Sequence, residues 1–411
     1  MEHVATSYPL HKITVVLLEN VHPRARELFE GAGYTVRTVS ESLQGDALIE
    51  AAGDAHLLGI RSRSKLPARY FEKAERLWAV GCFCIGVDQV DQQAAAERGV
   101  AVFNAPFSNT RSVAELTIGE IIALHRRLAD RSSEMRRGLW RKTAEGCNEV
   151  RGRTLGIIGY GRIGSQVSVL AEAIGMRVLY NDVAECLPLG NATAVRSLDS
   201  LLEKSDVVSI HVPQSGATRG LIGPRELSLM KQGAFLINNA RGDVVDQEAL
   251  ARMIRSGRIA GAAVDVFPQE PGSEEEPFES PLRGLNNVIL TPHIAGSTLQ
   301  AQRNIAEEVT SKLIKFMNNG STTTAVNVPE VELPVLHPDK HRILHFHRNV
   351  PGVLSKMHKI IADLGVNIVA EYLQTDPRHS YVILDIDPTH GDELVDQLRS
   401  VDETIRVRTL W

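Results

Sequence analysis

The stretch LGIIGYGRIGSQVSVLAEAIGMRVLYND, residues 155–182, constrains this chain more than any other. An apolar run leads into Gly159, Gly161 and Gly164, spaced G-x-G-x-x-G; an amphipathic helix pattern follows, and a second apolar run ends on Asp182. Three glycines at this spacing are a weak signal alone. Between a buried strand and a helix each has a physical role. Gly159 permits a tight turn, Gly161 admits close backbone approach by a pyrophosphate, and Gly164 lets the helix pack on the strand. The helix N-terminus, opened by Arg162 and Ile163, adds amides and partial positive charge. Arg162 is placed to touch the pyrophosphate. A carboxylate ending the second strand accepts hydrogen bonds from ribose hydroxyls and repels a 2′-phosphate, so Asp182 favours NAD over NADP.

The position of this fingerprint matters as much as its spacing. Ahead of it run five short apolar segments, ITVVLL (13–18), YTVRTV (34–39), AHLLGI (55–60), LWAVGCF (77–83) and AVFNA (101–105), with helical patterns between them. Alternation of this kind predicts a parallel α/β unit. A single long helix is expected over SVAELTIGEIIALHRRLADRSSEMRRG. The second series then continues through residues 207–213, 234–240, 261–267 and 287–293, continuous apolar strands of the type buried on both faces. A helix is expected over 301–320. The Thr-, Val- and Pro-rich stretch 321–340 reads as a linker. The last seventy or so residues give strand, helix, two strands, helix, strand, the order of a ferredoxin-like βαββαβ unit. The nucleotide unit is therefore inserted in the middle of the chain.

With 411 residues the chain has room for two or three cores. A net charge of −5 argues against a global pull toward nucleic acid or an anionic membrane. The basic run 126–142 reads as a solvated helix face. The four cysteines, Cys82, Cys84, Cys147 and Cys186, form no C-x-x-C pair and no Cys/His zinc spacing, so no metal is expected. The polar N-terminus, the lack of a membrane-length apolar run and the unpaired cysteines fit a reduced, cytoplasmic chain.

Three stretches end predicted strands after the fingerprint: INNARGDVVD with Arg241, AAVDVFPQEP with Asp265 and Glu270, and LTPHIAGST with His293. Ligands of open α/β sheets gather at that edge. Hydride transfer from a 2-hydroxy acid needs a base for the hydroxyl proton, a cation for the carboxylate and developing carbonyl, and a group that tunes the base. His293 suits the first role, because imidazole titrates near neutrality. Arg241 suits the second through its planar fork of donors. Glu270 suits the third, fixing the imidazole tautomer and raising its pKa. Arg61 and Arg63, two apart in an extended segment after HLLGI, point the same way and can grip a phosphate, so a doubly anionic substrate is expected.

The fingerprint, NNARGDVVD, DVFPQEP and TPHIAGST together resemble the NAD-dependent D-2-hydroxyacid dehydrogenase family, and the resemblance covers essentially the whole chain. It implies a Rossmann-type doubly wound NAD-binding domain (109–295) inserted into a flavodoxin-like substrate-binding domain (1–108 with 296–338), and a cleft closing on substrate. A C-terminal ferredoxin-like regulatory domain of the amino-acid-binding ACT type follows (339–411). Arg241, Glu270 and His293 become the catalytic set. Asn239, Ala240, Arg241, Asp265, His293, Ile294, Ala295 and Gly296 join the fingerprint residues around NAD. Ala295 stands where relatives often have a second glycine.

Within the family, GIRSRSKL, GCFCIGVDQVD and FNAPFSNTRSVAE are closest to the members that oxidise D-3-phosphoglycerate to 3-phosphohydroxypyruvate, the entry step to L-serine. On that resemblance Arg61, Arg63, Asn109, Trp140 and Lys142 contact substrate, the last two reaching a neighbouring subunit in a homotetramer. His347, Asn349 and Asn367 bind an L-serine effector between paired modules. Two other functions fit the same sequence: reduction of 2-oxoglutarate or another 2-oxo acid, and a non-catalytic NADH-sensing scaffold. The intact Arg241, Glu270 and His293 set weighs against the scaffold. The LHPDKHR segment lacks the glycine pair expected of a hinge.

Overall fold

A computed structural model describes residues 8–271, 275–388 and 392–410. The chain folds as two compact units, Met1–Ser108 with Gln302–Trp411, and Asn109–Ala301.

In the first unit, strands β1 (Thr14–Leu17), β2 (Thr35–Thr38), β3 (Leu57–Ile60), β4 (Ala79–Cys82) and β5 (Ala101–Asn104) form a parallel 5-stranded sheet of order β2-β1-β3-β4-β5. Every residue of β3, β4 and β5 is buried, because both faces are covered. One face packs on the helix Leu299–Asn319 through Ile305, Val309, Leu313 and Phe316. A Cβ on Gly81 would lie 2.6 Å from Val309, so that helix sits directly against the strand backbone.

The second unit carries β6 (Thr154–Ile158), β7 (Arg177–Asn181), β8 (Thr193–Ala194), β9 (Val207–Ile210), β10 (Ala234–Asn238), β11 (Ile259–Val264) and β12 (Val288–Leu290). They form one 7-stranded parallel sheet of order β12-β11-β10-β9-β6-β7-β8, a doubly wound arrangement whose order reverses at β6 and β9. The two-residue β8 has no apolar run to announce it and escapes the sequence reading. The long helix expected at 112–138 is two helices, Thr110–His125 and Leu128–Arg136. Arg127 takes a left-handed backbone (φ 49°) and breaks the run, and its guanidinium pairs with Asp130. The polar second half is not a continuation of the apolar first half but a separate surface helix.

The C-terminal part of the first unit is an antiparallel 4-stranded sheet of order β14-β15-β13-β16, with β13 (His341–Arg348), β14 (Ile368–Thr375), β15 (His379–Ile386) and β16 (Thr404–Leu410). Helices Val353–Asp363 and Asp392–Arg399 cover one face through Met357, Ile361, Leu394 and Leu398. This is the expected βαββαβ unit.

The stretch 321–340 read as a linker is firmly attached along much of its length. Ala325 bridges Phe103 in antiparallel fashion, Val326 donates to the Val102 carbonyl, and Asn327 caps the edge of β5 through Val102 N. Leu333 and Leu336 pack on the other face of the C-terminal sheet with Leu344, Phe346 and Tyr381. Low periodicity concealed this strap, which bonds to β5 and also folds back on itself: Thr322 N donates to the Val331 carbonyl and Thr322 Oγ1 to that of Pro329. Arg342, fully buried, joins the same region: it pairs with Asp385 at 2.5 Å and donates to the carbonyls of Asn319 (3.0 Å) and Pro334 (2.9 Å). Removing one partner of such a pair strands a buried charge, typically at about 3–5 kcal/mol. Asp385→Ala should therefore lower stability by about that much in denaturant unfolding, and replacing Arg342 and Asp385 together by apolar residues should cost less than Asp385→Ala alone.

Candidate active site

Because the second sheet is all parallel, the loops after β6, β10, β11 and β12 leave it at one edge. The loop after β6 has the shape the glycine spacing implies. Gly159 has φ 89°, and a Cβ there would sit 2.6 Å from the His211 carbonyl; on Gly164 it would sit 2.2 Å from the Gly159 carbonyl. Nothing lies within 4 Å of a Cβ built on Gly161, which caps the helix Arg162–Ala173, so the backbone is open to a ligand there. Asp182 accepts from the amides of Tyr160 (2.6 Å) and Ala184 (2.8 Å), and Tyr160 stacks on Tyr180 at 3.9 Å. The carboxylate that ends β7 thus also holds the loop in register. These residues fit a dinucleotide.

The loops after β11 and β12 are organised around Asp265, which is 0% exposed. Its carboxylate accepts from Thr291 Oγ1 (2.5 Å), Ile294 N (2.8 Å) and Ala295 N (2.8 Å), and its own carbonyl accepts from His293 N (2.8 Å). Clamped on both sides, His293 adopts φ 55°. A non-glycine residue rarely holds that conformation without enforcement, and such strain collects at functional sites. His293 Nδ1 meets Glu270 at 2.9 Å and 3.0 Å, and Glu270 also accepts from Phe267 N. The bond to Glu270 raises the His293 pKa, opposed by burial and assisted by the charges of Glu270 and Asp265. On Glu270, burial works upward, but the bond to His293 and that imidazole's charge prevail and lower it. Nδ1–H donating to Glu270 leaves Nε2 as the acceptor.

Arg241 follows β10. Its side chain donates to the Ala240 carbonyl (2.7 Å), its own carbonyl accepts from Asn238, and its charge acts on both His293 and Glu270. Asn239 is held from the other side: its amide donates to Glu120 Oε2 (2.7 Å) and Thr117 Oγ1 (3.1 Å) on the helix Thr110–His125. Glu120 is 3% exposed, its Oε1 has no partner among the described residues, and burial, with the nearby Asp265 charge, pushes its pKa up to about 7. Sequence reasoning missed Glu120 and the clamping role of Asp265. The signal for Glu120 was there, an acid on the apolar face of TIGEIIALH.

The other expected residues are dispersed. Asn109 is buried at the start of the helix Thr110–His125, and a Cβ on Gly296 would lie 2.2 Å from its side chain, so these two pack together. Trp140 is 80% exposed, beside Lys142. Arg61 and Arg63 follow β3 in the first unit. In the C-terminal sheet, His347 is buried with its Nδ1 3.2 Å from that of His345, while Asn349 and Asn367 are exposed. Asn349 adjoins the Arg348–His379 pair and Asn367 precedes the Ile368–Ile386 pair, at opposite ends of β15. At about 3.3 Å per residue they are roughly 23 Å apart within one chain. One copy alone does not bring this trio together.

A doubly wound nucleotide domain with a histidine–carboxylate pair and an arginine at its sheet edge defines a nicotinamide-dependent hydroxyacid dehydrogenase. The model of the D-isomer specific 2-hydroxyacid dehydrogenase NAD-binding domain matches residues 118–295, and that of an ACT domain like the AHAS small subunit matches 343–406. D-3-phosphoglycerate dehydrogenase of Haemophilus influenzae is 52% identical, covering 97% of this chain and 98% of its own. That of Escherichia coli K12 is 51% identical over 97% and 98%, and that of Dictyostelium discoideum 48% over 99% of each. Among solved structures, the Aquifex aeolicus D-lactate dehydrogenase complexed with NAD and lactic acid has a TM-score of 0.64 at 30% identity, covering 74% of this chain and 95% of that one. The chain belongs to the D-isomer specific 2-hydroxyacid dehydrogenase family, in the group of D-3-phosphoglycerate dehydrogenases.

The buried Glu120 makes a stability prediction. Its pKa in the folded state lies above the ordinary carboxylate value, so its contribution is intact below about pH 4.5, declines as pH rises toward 7, and stays lost above. Glu120→Gln keeps an acceptor for Asn239 and removes that decline. Thermal melts should show the variant gaining on the wild type between pH 5 and 8.5, by up to about 3 kcal/mol.

Proposed function

We propose that this enzyme oxidises D-3-phosphoglycerate to 3-phosphohydroxypyruvate, the first step of L-serine biosynthesis, with Arg241, Glu270 and His293 as its catalytic set. The observation that carries the assignment is the His293–Glu270 pair on a loop clamped by Asp265. NAD, held by Gly159, Gly161, Arg162, Ile163, Gly164 and Asp182, supplies the hydride acceptor when bound. His293 Nε2 takes the C2 hydroxyl proton, and Glu270 stabilises the imidazolium that results. Arg241 holds the substrate carboxylate and polarises the C2 oxygen. Asn239, Ala240, Asp265 and the 294–296 backbone shape the nicotinamide end. In the reverse direction His293 returns its proton to the carbonyl oxygen.

Arg61 and Arg63 supply the charge for the phosphate. Neither guanidinium pairs with an acidic side chain among the described residues, which also suits a second carboxylate, so reduction of 2-oxoglutarate is the second reading. Asn109 helps position the substrate, and Trp140 and Lys142 serve a neighbouring subunit of a homotetramer. The assignment divides the chain into a substrate domain (1–108 and 296–338), an NAD domain (109–295) and a regulatory domain (339–411). L-Serine binds between two regulatory domains, with His347 and Asn349 from one and Asn367 from the other, which accords with the distance separating them in one chain. The same reading places the enzyme in the cytoplasm. No helix among the described residues is long and apolar enough to cross a membrane.

Two experiments test this. Oxidation needs neutral His293, so kcat/KM should rise with pH through the imidazole pKa. Glu270→Gln removes the group that raises that pKa and should shift this limb to lower pH, while His293→Ala lowers kcat by at least about 100-fold and leaves NADH affinity nearly intact. An unshifted limb contradicts the pairing. Separately, millimolar L-serine should inhibit the wild type, and Asn349→Ala or Asn367→Ala should abolish inhibition while sparing activity. Serine without effect on rate would leave the C-terminal sheet without this effector.

A further inference from the structure

The loop carrying Arg61 and Arg63 is built on a buried carboxylate. Glu19 is 7% exposed and lies two residues past β1, beside the loop that follows β3. Its Oε1 accepts from the amides of Arg61 (3.1 Å) and Ser64 (2.8 Å), and its Oε2 from that of Arg63 (2.9 Å). To reach them the backbone turns left-handed at Glu19 and again at Asn20, with φ 59° and 50°. The loop is secured from its far side as well: Gln89 donates to the Arg61 carbonyl (2.8 Å), and Ser64, fully buried, accepts from Leu43 N. Glu19 thus spends both oxygens on backbone amides and forms no ion pair with either guanidinium.

Free amides converging at a bend, as this loop has at Ser62 and Arg63, would themselves form an anion-binding concavity. Here that concavity is already filled by the protein's own carboxylate. We propose that Glu19 is a positioning residue for the substrate's phosphate: it fixes the 61–64 backbone so that the Arg61 and Arg63 guanidiniums, and not the loop amides, meet the anion. This rests on the reading of Arg61 and Arg63 as phosphate ligands. The segment is bent at Ser62 and Arg63, not extended as its sequence suggested, so strand-like alternation does not by itself aim the two guanidiniums. Glu19 holds that bend through three amide bonds and forms no ion pair with either guanidinium.

Glu19→Gln is the informative change. Glutamine keeps one acceptor oxygen but turns an NH2 toward an amide N–H, donor against donor. The measurement is NADH-dependent reduction of 3-phosphohydroxypyruvate against hydroxypyruvate, which lacks the phosphate, in the full-length enzyme. For Glu19→Gln the expected result is a roughly 10- to 100-fold loss of kcat/KM on the phosphorylated substrate, carried by KM, with hydroxypyruvate almost unaffected. Arg61→Ala should show the same selectivity, and the double variant should lose little more than either alone. Glu19→Asp, which retains the charge but reaches fewer amides, should fall between and serves if the glutamine variant does not fold. If Arg61→Ala discriminates between the substrates and neither Glu19 variant does, Glu19 has no such role and the phosphate reading stands. If Arg61→Ala does not discriminate either, the phosphate reading falls and this proposal with it. Equal loss on both substrates, carried by kcat, would also overturn it.

Discussion

Asp265 has no contact with solvent, yet its carboxylate accepts three hydrogen bonds from the loop that carries His293. Such an ion is tolerated only when its oxygens are satisfied, and here the partners are two amides and a hydroxyl in a stretch of five residues, 291–295. The bonds leave that stretch little freedom. Tethered to Asp265 through both carbonyl and carboxylate, the chain passes through His293 in a left-handed conformation and presents the ring to Glu270. The sheet contributes by placing β11 and β12 side by side, so that Asp265 and Thr291, each one residue past its strand, are neighbours.

The charges around this clamp are layered. Asp265 is buried deepest, and its field adds to that of Glu270 in favouring imidazolium, while Arg241 opposes both. In the proposed role, where His293 alternates between acid and base, these opposing charges act on the proton it exchanges. Glu120 lies behind the same region and answers to burial first. Its hydrogen bond to Asn239 ties the turn before Arg241 to the helix Thr110–His125, so the loops of Arg241 and His293 are braced from two independent elements.

The glycine spacing, the acid at Asp182 and the order of apolar runs made the two parallel sheets legible in advance, because backbone geometry and burial leave direct marks on residue type. The loops carrying Arg241, Glu270 and His293 were legible because each follows an apolar strand and leaves the sheet at one edge. What escaped depends on long-range contacts. The strap at 321–336 shows no periodicity because β5, the C-terminal sheet and its own folded-back turns hold it, not a repeat along one element. Glu19 looks like a polar residue after a strand, and only the fold brings the Arg61, Arg63 and Ser64 amides to it, more than forty positions away. The helix break at Arg127 was hidden by a run of good helix formers on both sides.

The most direct test of the account replaces Asp265 with asparagine, nearly the same shape with one donor where an acceptor was. An amide there turns its NH2 toward either the Ile294 or the Ala295 N–H, donor against donor, and removes a charge that favours imidazolium. The pH dependence of kcat and kcat/KM should then show both effects of a misplaced base. kcat should be lower by about 100-fold, and the limb assigned to His293 should move to lower pH. Wild-type kcat with an unmoved limb would contradict the claim that this buried carboxylate sets the position and protonation of His293.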